Sequence, residues 1–70
     1  MKYYLWRSLR KDTYLLLNDE GRIEQVLSNR NGRSFVIGGI IPSYIRNEKW
    51  IIFSSSNKED VIIYATFEAL

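Results

Sequence analysis

The fold class predicted for this chain is all-β: a small antiparallel meander or barrel of five to six strands with one short helical turn. Three observations point there. Apolar runs are separated by turn signals at intervals of about ten residues. β-branched and aromatic residues fill those runs, and these are the types that fit a pleated, half-buried surface. The 70 residues, 46% apolar and 14% aromatic, suffice for a single small β-rich domain over residues 1–70.

The elements follow in order. Lys2–Leu9 is the first expected strand, ended by Arg10-Lys11-Asp12, and Thr13–Asn18 is the second. Asn18-Asp19-Glu20-Gly21 then sets turn-favouring side chains ahead of a glycine where a positive φ is needed, as in a hairpin with a bulge. Arg22–Ser28 returns as the third strand. Asn31-Gly32, a strong hairpin dipeptide, leads into Arg33–Gly38 as the fourth. An alternative stays open for residues 19–30. Ile23, Val26 and Leu27 also share one helix face, with Asn18 or Asp19 as N-cap and Gly32 past the end, which would make the fold α+β.

Paired Gly38-Gly39 permits a sharp bend, and Pro42 cannot donate to a central ladder. A single helical turn is expected over Ser43–Asn47. Trp50–Ser55 and Val61–Glu68, separated by Asn57-Lys58-Glu59-Asp60, complete the sheet as a last hairpin.

The run Gly39-Ile40-Ile41-Pro42-Ser43-Tyr44-Ile45, following Asn31-Gly32-Arg33, resembles the late segment of SH3 domains. There a Gly-x-aliphatic-Pro-Ser-Asn-Tyr-Val motif forms a 3₁₀ turn whose Pro and Tyr help line a groove for proline-rich peptides. The resemblance implies an SH3-like barrel with a helical turn. It covers one short run, lacks the Asn between Ser and Tyr, and has no Ala-Leu-Tyr-Asp-Tyr opening or paired tryptophans. Peptide binding is therefore not carried onto Pro42 and Tyr44.

Composition excludes several chemistries. With neither cysteine nor histidine there is no disulfide, no Cys or His zinc site and no histidine-activated nucleophile. The carboxylates, such as Asp19-Glu20 and Glu59-Asp60, fall mostly in expected turns, as solvated charges with no cleft to hold two at a fixed separation. No phosphate-binding glycine loop, calcium-loop spacing or cofactor signature occurs. No catalytic or metal-binding residue is assigned, and the expected function is not enzymatic. The N-terminus meets Arg7 before a signal-peptide core could form. The longest uncharged stretch, Ser34–Ile45, is short and broken by Gly38, Gly39 and Pro42, so no membrane contact and a cytoplasmic location are expected.

Two surfaces suggest partners. In the expected last hairpin both faces of each strand are apolar over the first part, more than one sheet face can hide. The surplus residues Ile51, Phe53, Ile62 and Tyr64 are the candidate contact surface for a protein partner or a second copy in a homodimer. The expected role is that of an interaction module, regulator or inhibitor, an accessory protein of viral origin included. The second surface is basic and aromatic: Trp6, Arg7, Arg10 and Lys11 near one turn, Arg30 and Arg33 near another, and Tyr44, Arg46 and Lys49 beside Trp50. Bases for phosphate interleaved with aromatics for stacking suit single-stranded nucleic acid. Arginines facing one another across a dimer would instead suit a small anionic ligand. The net charge of only +2, with seven of ten bases in the first half, leaves the basic signal mild.

Overall fold

The computed structural model describes residues 1–48 and 50–70. It shows an α+β fold: an open four-stranded antiparallel sheet, one α-helix and a 3₁₀ turn. The strands are β1 (Tyr3–Arg7), β2 (Thr13–Leu17), β3 (Ile23–Asn29) and β4 (Ile51–Ser55), in the order β3-β2-β1-β4. The 3₁₀ turn spans Ser43–Glu48 and the helix α1 spans Lys58–Glu68.

The β2–β3 hairpin forms as its turn chemistry requires. The Asn18 N–H donates to Arg22 O (2.9 Å), and its side-chain oxygen accepts from the N–H groups of Glu20 and Arg22. Gly21 closes the turn at φ +78, a region costly for residues with a Cβ. The alternative helix over residues 19–30 is thereby corrected: Ile23–Asn29 is strand paired with β2. The helical turn expected after Pro42 is present, and the Ile45 N–H donates to Pro42 O.

The barrel of five to six strands is overturned at two places. Arg33–Gly38, expected as a strand, is irregular. Gly32 and Gly38 both adopt positive φ, and the chain leaves the sheet and crosses one of its faces. There the Gly38 N–H donates to Ile23 O, and the Ile23 N–H donates to Gly39 O. These bonds pin the segment to the β3 edge, which the closure of a barrel would need.

The second correction is Val61–Glu68, which is helix and not strand. Its β-branched and aromatic residues favour a strand locally, but the preceding Asn57-Lys58-Glu59-Asp60 is a helix start. The Asn57 side chain accepts from the Glu59 N–H (3.0 Å), and Glu59 and Asp60 place negative charge in the first turn. Val61 and Ala65, four apart, are then buried against the sheet.

Both sheet faces are covered, and β2 is buried along its whole length. On one face Leu5, Tyr14 and Leu16 meet Val61 and Ala65 of α1, with Leu27, Phe53 and Ile62 packed around them. On the other, Trp6, Leu15, Leu17 and Ile23 meet Ile41 and Ile45. A register shift between Leu5 and Trp6 leaves Ile52 as an extra residue in β4, and Ile52 and Phe53 both join the helix-side cluster. The sheet is open because α1, expected as the last strand, fills one face, while Ile41 and Ile45, with Phe35 of the expected fourth strand against them, fill the other.

Candidate functional site

The four residues expected to contact a partner are divided by the fold. Phe53 on β4 and Tyr64 on α1 stack face to face, with ring centroids 4.3 Å apart and planes within 4°. Ile62 packs into the cluster beneath the helix. Ile51 lies on the opposite sheet face: it pairs with Trp6 and borders a depression with Tyr4, Leu17 and the β2–β3 turn. Phe53, Ile62 and Tyr64 therefore belong to one region, and Ile51 to another.

What sequence reasoning missed lies on the outward side of α1. With Val61 and Ala65 turned to the core, Ile63 and Phe67 are turned to solvent, 53% and 71% exposed, and exposed Leu70 follows three residues on, past the end of α1. The exposed edge of Tyr64 flanks the row. A signal for it existed. An Asn followed by two acids and an apolar run marks a helix start, and helical spacing then separates residues 61 and 65 from 63 and 67. A second exposed apolar group, Val36, Ile37 and Ile40, sits on the irregular segment across the other face.

The residues expected to contact nucleic acid or an anion are likewise divided. Trp6 is wholly buried in the core and offers no face for stacking. Arg7 is also buried. Its Nη1 pairs with Glu68 Oε1 at 3.1 Å, and its guanidinium lies 3.8 Å from the centre of the Trp50 ring. One face of that half-exposed indole is thus already occupied by a cation. Tyr44 and Arg46 are exposed on the 3₁₀ turn, whose Ile45 packs on the sheet face away from α1. Lys49 lies outside the described residues.

The fold does gather Arg10, Lys11, Arg30 and Arg33. The Arg30 N–H donates to Asp12 O (2.8 Å), Arg30 Nη2 donates to Lys11 O, and Asn29 Nδ2 donates to Arg33 O. The β1–β2 turn and the end of β3 are thereby tied into one basic end of the sheet. Asp12 lies within it. Its carboxyl is held below the ordinary carboxylate value, chiefly by the Ser8 hydroxyl donating to Oδ1 (2.7 Å) against the opposing effect of desolvation. Thr13 and the positive charge of Arg33 lower it further.

The opposite end is acidic. The register Tyr4–Leu17 and Tyr3–Ser55 sets the β2–β3 turn beside the end of β4, from which α1 starts. Asp19 and Glu20 of that turn border depressions on the sheet face away from α1, and Glu59 and Asp60 lie in the first turn of α1. α1 runs from this acidic end to the basic one, where Glu68 meets Arg7.

A groove of about 360 Å³ runs between α1 and the β2–β3 side of the sheet, lined by residues including Tyr14, Gln25, Leu27, Ile62 and Thr66. Its one ionisable wall is Tyr14, whose phenol is pushed up by burial and then by the negative charge of Glu68. Among the described residues no group of three or more acids is placed to hold a metal, and no helix is long and apolar enough to cross a membrane.

No protein-family model, curated protein or solved structure matches this chain significantly.

Proposed function

We propose that the chain is a non-enzymatic binding module, an interaction or regulatory protein that recognises a protein surface through the outward side of α1. The observation that carries this is the helix itself. Val61 and Ala65 secure one side to the sheet, while Ile63 and Phe67 leave the other side apolar and uncovered. A helix apolar on both sides is normally covered on both. The Phe53–Tyr64 stack borders the row and stiffens it, and aromatic side chains at the centre of a contact contribute most of its binding energy. Val36 and Ile37 are less suited, because an irregular segment loses more conformational freedom on binding.

The test is photo-crosslinking from a reactive residue substituted at Ile63, with Glu24 on the far edge strand as control, in an extract of the producing cells. Protein adducts at Ile63 and none at Glu24 are expected. Equal labelling at both positions, or no adduct at Ile63, contradicts the proposal.

Gathering of the four bases favours a second reading, contact with single-stranded nucleic acid or a small anion through Arg10, Lys11, Arg30 and Arg33. It lacks the stacking surface of Trp6, which is buried. Binding of a labelled oligonucleotide that weakens steeply with added salt would support it, and absence of binding at low salt would exclude the nucleic acid.

A further inference from the structure

We infer that the protein recognised beside α1 presents an extended, uncharged segment that adds to the free edge of β4 as a further strand. This inference rests on reading the outward side of α1 as a docking surface and adds the chemistry of what docks there. β4 ends the order β3-β2-β1-β4 and pairs with β1 alone. An antiparallel strand turns the N–H and C=O of alternate residues away from its neighbour. Among the described residues no backbone group meets those of Ile51–Ser55 on that side. Such a row of donors and acceptors is matched by another extended backbone.

The two edges of the sheet differ in how they are guarded. At β3 the Ile23 N–H and C=O are taken by Gly39 and Gly38, register shifts bend the strand, and exposed Glu24 adds a charge. Trp50–Ser56 carries no charge, glycine or proline, and an edge of that kind accepts a further strand. The extra residue Ile52 sits near the start of β4 and leaves Phe53, Ser54 and Ser55 in register with Leu5, Tyr4 and Tyr3. The edge is continuous with the docking side of α1, because the helix runs along β4. The Ser55 hydroxyl donates to Asp60 Oδ2 (3.1 Å), Phe53 stacks on Tyr64, and Arg7 joins Trp50 to Glu68. Exposed Phe67 lies one turn past Tyr64. A strand beside β4 sends alternate side chains toward α1, where Phe53, Tyr64 and Phe67 select apolar ones.

The probe is a fluorescent peptide of alternating valine and threonine, tipped with lysine for solubility and titrated against the purified chain. Binding is expected, and the same peptide N-methylated throughout, which cannot pair as a strand, should not bind. Chemical synthesis of the chain allows an ester to replace the amide of Phe53 or of Ser54, one at a time. Of these two neighbouring N–H groups one faces β1 and the other the open edge. The ester facing β1 should lower thermal stability. The other should leave stability unchanged and weaken the peptide about threefold to tenfold, the loss of one hydrogen bond. No binding at millimolar peptide, equal binding of the N-methylated peptide, or no effect of either ester on affinity overturns the inference. Adducts at Ile63 that persist in that event leave the docking surface standing without strand addition, while their absence removes both. A purified chain that dimerises in sedimentation, and loses the dimer with the outward ester, places a second copy's β4 there and overturns the separate partner.

Discussion

Asp12 shows how one side chain organises the basic end. Its Oδ1 accepts from the Ser8 and Thr13 hydroxyls, and its backbone carbonyl accepts from the Arg30 N–H. These bonds hold the β1–β2 turn against the end of β3, with Lys11 in the left-handed region at φ 61. The Asp12 pKa is lower in the folded chain than its ordinary value. Its contribution to stability is therefore complete above about pH 4 and is lost as pH falls through the folded value. Asp12→Asn keeps an acceptor for Ser8 but removes the titration. Thermal unfolding followed across the acid range should show the variant less stable at neutral pH, with a flatter acid limb than the parent. Parallel acid limbs would mean that the carboxylate charge contributes nothing there. Buried Arg7 is the other residue of consequence, because burial against Trp50 and Glu68 turns a candidate contact into a tie between β1, the start of β4 and the end of α1.

Elements differed in how legible they were. The Asn18–Gly21 hairpin and the turn after Pro42 could be read because each rests on local chemistry: an Asn that bonds its own turn, a glycine at positive φ, a proline that cannot join a ladder. Arg33–Gly38 and Val61–Glu68 could not be read from propensity, because tertiary context decides them. Val36 and Ile37 look like strand residues, yet their segment is fixed by Gly38 and Gly39 bonding to Ile23. In α1 the capping residue outweighs a β-branched run, and Ile63 and Phe67 were concealed by a period of two assumed where the period is 3.6. The weight of the cap is testable. Asn57→Ala should lower stability by about 1 kcal/mol in urea unfolding, with Asn57→Asp close to the parent. An Asn57→Ala variant as stable as the parent would show that α1 is fixed by packing alone.

At the scale of the whole molecule, the sheet separates two functions of apolar surface. Leu5, Trp6, Leu15 and Leu16 are fully buried and hold the layers together. Ile63 and Phe67 add little to that core and are available for a partner. Leu16→Ala should therefore cost about 2–5 kcal/mol of stability through the cavity it leaves, whereas Ile63→Ala should stay within about 0.5 kcal/mol of the parent. Comparable losses at both positions would place Ile63 in the core. The charge separation from acidic to basic end follows from the same architecture, since a helix antiparallel to the last strand links the two ends. The most direct measurement of the central claim compares hydroxyl-radical footprints of the chain purified alone and in an extract of the producing cells. The account predicts protection in the extract concentrated at Ile63, Tyr64 and Phe67. Protection confined to Val36–Tyr44, or none at all, would contradict it.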